Sequence, residues 1–114
     1  HLSDYQRFVY GFRFESSQLY KTHLRTGLES YHVLKDYSIP RASIMTELPG
    51  DRIFITGGKT SSSGEVTREV CKIDALREFA VIQQPQMLSE RFSHGAVYFH
   101  DYIYVIGGCS NRFL

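Results

Sequence analysis

Two pairs of adjacent glycines, Gly57-Gly58 and Gly107-Gly108, stand 50 residues apart, and each ends a short run of apolar and β-branched residues. A fixed period of this length is the signature of a repeated supersecondary unit, and it constrains the fold before any local propensity is weighed. Without a gap, Pro40-Arg41-Ala42 through Gly57-Gly58 aligns with Glu90-Arg91-Phe92 through Gly107-Gly108. Arg41 then falls on Arg91, Asp51 on Asp101, and Ile53-Phe54-Ile55 on Ile103-Tyr104-Val105. A second register agrees, because Tyr20 lies 21 residues before Arg41 as Cys71 lies 20 before Arg91. Phe8-Val9-Tyr10-Gly11 reads as a worn further copy with a single glycine.

The repeat parses into strands. Arg52–Thr56 and Tyr102–Ile106 each follow an Asp turn residue and stop at paired glycines, which marks a strand bounded by turns. Their nearly continuous apolar character predicts burial on both faces. Ala42–Glu47 and Gly95–Phe99 form a shorter strand upstream, joined by Leu48-Pro49-Gly50-Asp51 in one copy and by His100-Asp101 in the other. Val66–Ile73 and Phe79–Ile82 complete a set of four, and no helix of ordinary length is expected. Four short antiparallel strands in roughly 50 residues make the blade of a β-propeller.

At these residues the chain resembles a kelch repeat. The family pattern places an Arg before strand one, Gly-Gly after strand two, an aromatic-Asp pair on strand three and an aromatic on strand four. The matching residues are Arg41 and Arg91, Gly57-Gly58 and Gly107-Gly108, then Tyr20 and Asp74, with Phe79 near the last place. Ser93-His94-Gly95-Ala96-Val97 resembles the family's strand-one entry. The chain departs in lacking Trp, in having Ile73 before Asp74, and in carrying His23 where Asp is usual. The expectation is an all-β chain of kelch-type propeller blades of four antiparallel strands, forming an incomplete propeller. Residues 1–40 would hold a degenerate first blade, 41–83 a complete blade and 84–114 the first half of another.

Propellers need about four to eight blades, so a chain of 114 residues reads as part of a longer protein, as its start at His1 also suggests. Charge narrows the partner. Thirteen Lys and Arg against 12 Asp and Glu give a net charge of +1, which supplies no electrostatic reason for nucleic acid or an anionic membrane. No apolar run is long enough to span a bilayer. Two cysteines, Cys71 and Cys109, do not mark a disulfide scaffold, and a reducing, cytoplasmic setting is expected.

Variable polar loops on a rigid scaffold are where binding usually resides. In the family, partners bind the face built from the loops between strands two and three and from inter-blade connections. The resemblance therefore implicates Lys59, Thr60 and Ser62, their counterparts Ser110, Asn111 and Arg112, and Gln84, Gln86 and Arg91. Recurrence of Arg41 and Arg91 favours an internal role for each over a basic ligand-gripping ring. No His pair has zinc spacing, and His94 is expected to hydrogen-bond at the strand entry. The motif of copper-binding relatives is absent. Cys71 is expected as a small buried hydrophobe and Cys109 as an exposed thiol with no base tied to it.

No catalytic residue, metal or cofactor is therefore assigned. The expected function is a protein-interaction scaffold within a larger intracellular protein, of the adaptor or cytoskeletal kind, with a protein partner of unknown identity. The alternatives are a propeller enzyme of sugar or redox chemistry and a self-assembling structural oligomer.

Overall fold

A computed structural model describes residues 8–60 and 63–110. Among these residues, nine strands form three separate antiparallel sheets in chain order. The first sheet holds β1 (Phe8–Phe12), β2 (Gln18–His23) and β3 (Glu29–Val33). The second, four-stranded sheet holds β4 (Ile44–Leu48), β5 (Arg52–Thr56), β6 (Val70–Asp74) and β7 (Ala80–Gln84). The third pairs β8 (Gly95–Phe99) with β9 (Tyr102–Ile106). The described residues contain no α-helix, only a 3-10 turn at Ala75–Arg77. The all-β expectation is met, and within each sheet every strand is hydrogen-bonded to its neighbour in sequence.

The strand boundaries differ from the sequence expectation where side chains or turns interrupt the ladder. Val66 joins Lys59 in an isolated bridge outside the strand, and β6 begins at Val70. Between them Glu69 N–H is taken by Thr67 Oγ1 at 3.1 Å and Thr67 N–H by Gly58 O at 2.9 Å, so these groups leave the ladder. Phe79 is a turn residue: it and Glu78 both have φ of 58°, and β7 starts one position later. Ala42, at φ 60°, likewise keeps Pro40–Ser43 out of β4.

The gapless repeat is also corrected by one residue. Ile44 pairs with Thr56, and Gly95 with Ile106. With Thr56 equivalent to Ile106, Arg41 therefore matches Phe92, not Arg91. The backbone bridges Arg41–Lys59 and Phe92–Cys109 give the same answer. The offset arises in the hairpins. Pro49-Gly50-Asp51 joins β4 to β5, whereas His100-Asp101 alone joins β8 to β9. His100 and Asp101 have φ of 50° and 68°, the left-handed pair of a type I′ turn, which matches strand twist even without glycine.

One departure from the repeat pattern acquires a reason. Asp74 Oδ1 accepts the N–H of Leu76 at 3.1 Å and caps the 3-10 turn. His23, at the corresponding end of β2, does this through Nδ1, which accepts from Arg25 and Thr26 N–H at 3.2 Å. An imidazole acceptor thus replaces the carboxylate.

The core lies between the first two sheets. Leu19, Leu34, Ile39, Ile53 and Ile73 are fully buried, with Ile55, Tyr10 and Phe79 beside them. Each such aliphatic side chain stabilises by about 1.5–3 kcal/mol. Ile53 and Ile73 face each other across β5 and β6. The His32 ring stacks on Phe79 at 3.9 Å, and Tyr10 Oη reaches Asp51 Oδ1 at 3.5 Å, so polar groups also cross this seam. Beyond the second sheet burial thins. β8 and β9 alternate between half-buried and exposed, and Val97, Phe99, Tyr102, Tyr104 and Ile106 face outward. The expected two-faced burial therefore holds for β5 but not for β9. Among the described residues no further sheet packs against that outer face.

Candidate functional site

Strand register sets which residues can share a surface. Ile44, Thr56, Val70 and Gln84 line one end of the second sheet. From this end emerge the paired glycines, the loop to β6 and the connection to β8, so Lys59, Thr60, Gln84, Gln86 and Arg91 belong to one side of the chain. The opposite end carries only tight turns.

The polar side chains at this end are partly committed to the fold. Lys59 Nζ sits 4.3 Å from the Phe92 ring centroid, and its backbone bridges Arg41 and Val66. Thr60 Oγ1 shares a 2.8 Å hydrogen bond with Ser63 Oγ, which tightens the loop. Arg91 Nη1 donates to Gly107 O at 3.2 Å, while its own carbonyl accepts Gly58 N–H at 2.8 Å. Arg91 thus ties two repeats together through backbone carbonyls. Arg41 is exposed and pairs through its backbone. Gln84 is half-buried and donates to nearby carbonyls, Gln86 is exposed, and Ser110 is half-buried. Ser62, Asn111 and Arg112 lie outside the described residues.

Gln84 and Gln86 also border a cleft of about 500 Å³ between the second and third sheets. Phe54, Val70, Met87, Ile103 and Val105 give it an apolar floor. Arg52, Tyr98 and Asp101 add polar groups, Tyr98 donating to Asp101 at 3.0 Å. The sequence points to the glutamines but not to this cleft, because its two walls come from residues about 50 positions apart. A shallower polar depression of about 460 Å³ involves Thr60, Ser63, Thr67, Arg68 and Glu69.

The titratable groups are shaped mainly by burial. Burial, reinforced by the Arg91 cation, holds the His94 imidazole below its usual range. His94 Nε2 lies 2.8 Å from Thr56 Oγ1, the strand-entry hydrogen bond expected of it, though with a partner 38 residues away. Burial raises the Cys71 thiol, which donates to Gln83 Oε1 at 3.5 Å and is therefore held in its un-nucleophilic form. Burial drives the Tyr37 phenol far up as well. Cys109 is exposed. Among the described residues no three His, Cys, Asp or Glu side chains gather into a metal-holding group. No helix among them is long and apolar enough to cross a membrane.

The fold and its period define a repeat protein built of small antiparallel sheets, with loops gathered at one end. The chain is similar to Kelch-like protein 25 of Rattus norvegicus, Mus musculus and Homo sapiens, at 33% identity over 73 residues. The match covers 64% of the chain and 12% of each relative. Kelch-like protein 25 of Xenopus laevis is 34% identical over the same length. These similarities suggest a kelch-repeat relationship. No family model matches the chain.

Proposed function

We propose that the chain supplies blades of a kelch-type propeller and serves as a non-enzymatic surface for a protein partner. The second sheet would be the complete blade expected at residues 41–83, its last strand running one residue further to Gln84, preceded by a degenerate blade in 1–40 and followed by the first half of another in 84–114. The supporting observation is the recurrence in the second and third sheets of a two-stranded hairpin, a paired-glycine turn and a backbone bridge, offset by one residue in the hairpin turn. Similarity to a kelch-like protein points the same way. The setting would be cytoplasmic and the partner a protein, with neither nucleic acid nor membrane involved.

The partner-binding set would be Lys59, Thr60, Ser62, Gln84, Gln86, Arg91, Ser110, Asn111 and Arg112. Within it, Gln86 is free to contribute directly, while Lys59 and Arg91 would act mainly by fixing the loops. The test is affinity capture with the longest natural chain containing this segment, followed by alanine replacement of Thr60, Gln84 and Gln86 together. Loss of a captured protein with unchanged circular dichroism supports the reading. Undiminished capture by that variant, with loss on changing exposed residues of β3 instead, would reject this face.

A further inference from the structure

The connection between the second and third sheets contains a buried histidine whose surroundings fit only one charge state. His94 is 5% exposed. It is wedged between both double-glycine turns. A Cβ placed on Gly57 would lie 2.7 Å from His94 Cε1, and one on Gly108 would lie 2.9 Å from His94 Cβ. In the second sheet the equivalent position is Ser43, which satisfies itself locally by donating to Pro40 O at 2.8 Å. His94 reaches across to the neighbouring sheet instead.

Its two nitrogens are treated differently. Nε2 meets Thr56 Oγ1 at 2.8 Å, and Thr56 Oγ1 also lies 3.4 Å from Ile44 O. Nδ1 is buried with no partner. The consistent proton arrangement, inferred from this network, is Nε2–H donating to Thr56, Thr56 O–H donating to Ile44 O, and a bare lone pair on Nδ1. A second proton would have to enter at Nδ1, where no acceptor waits.

We propose that His94 is a proton-sensitive lock on the joint between the second and third sheets, the neutral imidazole holding the joint closed and the imidazolium opening it. The groups packed against the ring offer no countercharge. β5 brings the Thr56 hydroxyl, and the turns bring the backbones of Gly57 and Gly108. The connection brings the Met87 side chain toward the same Gly57 site, and Arg91, whose positive charge opposes a second cation. Burial and that charge both disfavour protonation, so acid favours an arrangement in which the ring meets water. Opening would widen the cleft bordered by Gln84 and Gln86 and release the turn that carries Arg91.

Two measurements on the chain test this. Ring nitrogen shifts of His94, followed by NMR from pH 8 to 5, should show a neutral ring with the proton on Nε2 in the closed form. Hydrogen exchange of residues 85–99, corrected for intrinsic rate, should lose protection by up to tenfold per pH unit once pH falls below the ordinary value of 6.5. His94→Gln keeps an N–H for Thr56 but cannot titrate, so its protection should not change with pH. Equal pH dependence in both proteins overturns the proposal. So does a His94 ring that charges fully while protection stays constant, a result read on the natural chain alone should the variant not fold.

Discussion

Replacing Gly57 with alanine should destabilise the chain far more than the same change at Gly107, although the two occupy one repeat position. Both have positive φ, 63° and 74°, where a Cβ costs about 1–2 kcal/mol. The difference lies in the space around them. A Cβ on Gly57 would lie 2.3 Å from Arg91 O, 2.7 Å from His94 Cε1 and 3.3 Å from Met87 Cε. The first of these is backbone and cannot rotate away. Relief requires the connection to withdraw, which strains the Gly58 N–H to Arg91 O hydrogen bond of 2.8 Å and the His94–Thr56 contact. Overpacking of this kind costs about 1–3 kcal/mol and an unmade buried hydrogen bond about 1–3 more. Gly57→Ala should therefore lose about 3–8 kcal/mol in all. Gly107 has no atom within 4 Å of its Cβ position, so Gly107→Ala should lose only the backbone part, about 1–2 kcal/mol. Urea titration followed by far-ultraviolet circular dichroism separates these outcomes, since a 2 kcal/mol gap moves the midpoint by roughly 1 M. Equal midpoints for the two variants would refute the reasoning, because the packing of the connection against the first glycine turn would then contribute nothing.

Other expectations are as specific. Tyr10 is pushed up to about 12 by burial and then by the Asp51 and Glu47 carboxylates. The folded chain therefore keeps this phenolic proton longer than the unfolded one, and its contribution to stability is intact below pH 10 and lost as pH rises from 10 through about 12. Tyrosinate absorbance should show a late step near 12 that Tyr10→Phe removes. Ile73→Ala, in the middle of the core between the first two sheets, should cost about 2–5 kcal/mol by urea titration. Asp74→Ala should cost about 1 kcal/mol through loss of the Leu76 cap, and Asp74→Asn, which keeps the acceptor, much less.

How much was legible follows from the range over which each signal acts. Strand runs β5, β8 and β9 were readable to the residue, because alternation or apolar runs bounded by Asp and Gly are local properties of the chain. The strand-three limits were not, since Thr67 and Gly58 divert Thr67–Glu69 through hydrogen bonds that propensity does not register. Gly-to-Gly alignment likewise concealed a one-residue hairpin difference, which moved Arg91 off the Arg41 position. The candidate loop residues could be picked out as polar and variable in type. Their commitments, Lys59 over Phe92 and Arg91 to Gly107 O, needed the third sheet to be in place.

By itself the sequence determined the period, the β character and the positions where the backbone must turn, because hydrophobic alternation and glycine stereochemistry act within a few residues. Tertiary structure alone decided which copies of the repeat are buried and which are exposed. It also decided that His94 would reach Thr56 in another sheet and that a cleft would open beside Gln84. Those outcomes depend on atoms brought together from some 40–50 positions apart, where close packing and the need to satisfy buried polar groups set the arrangement.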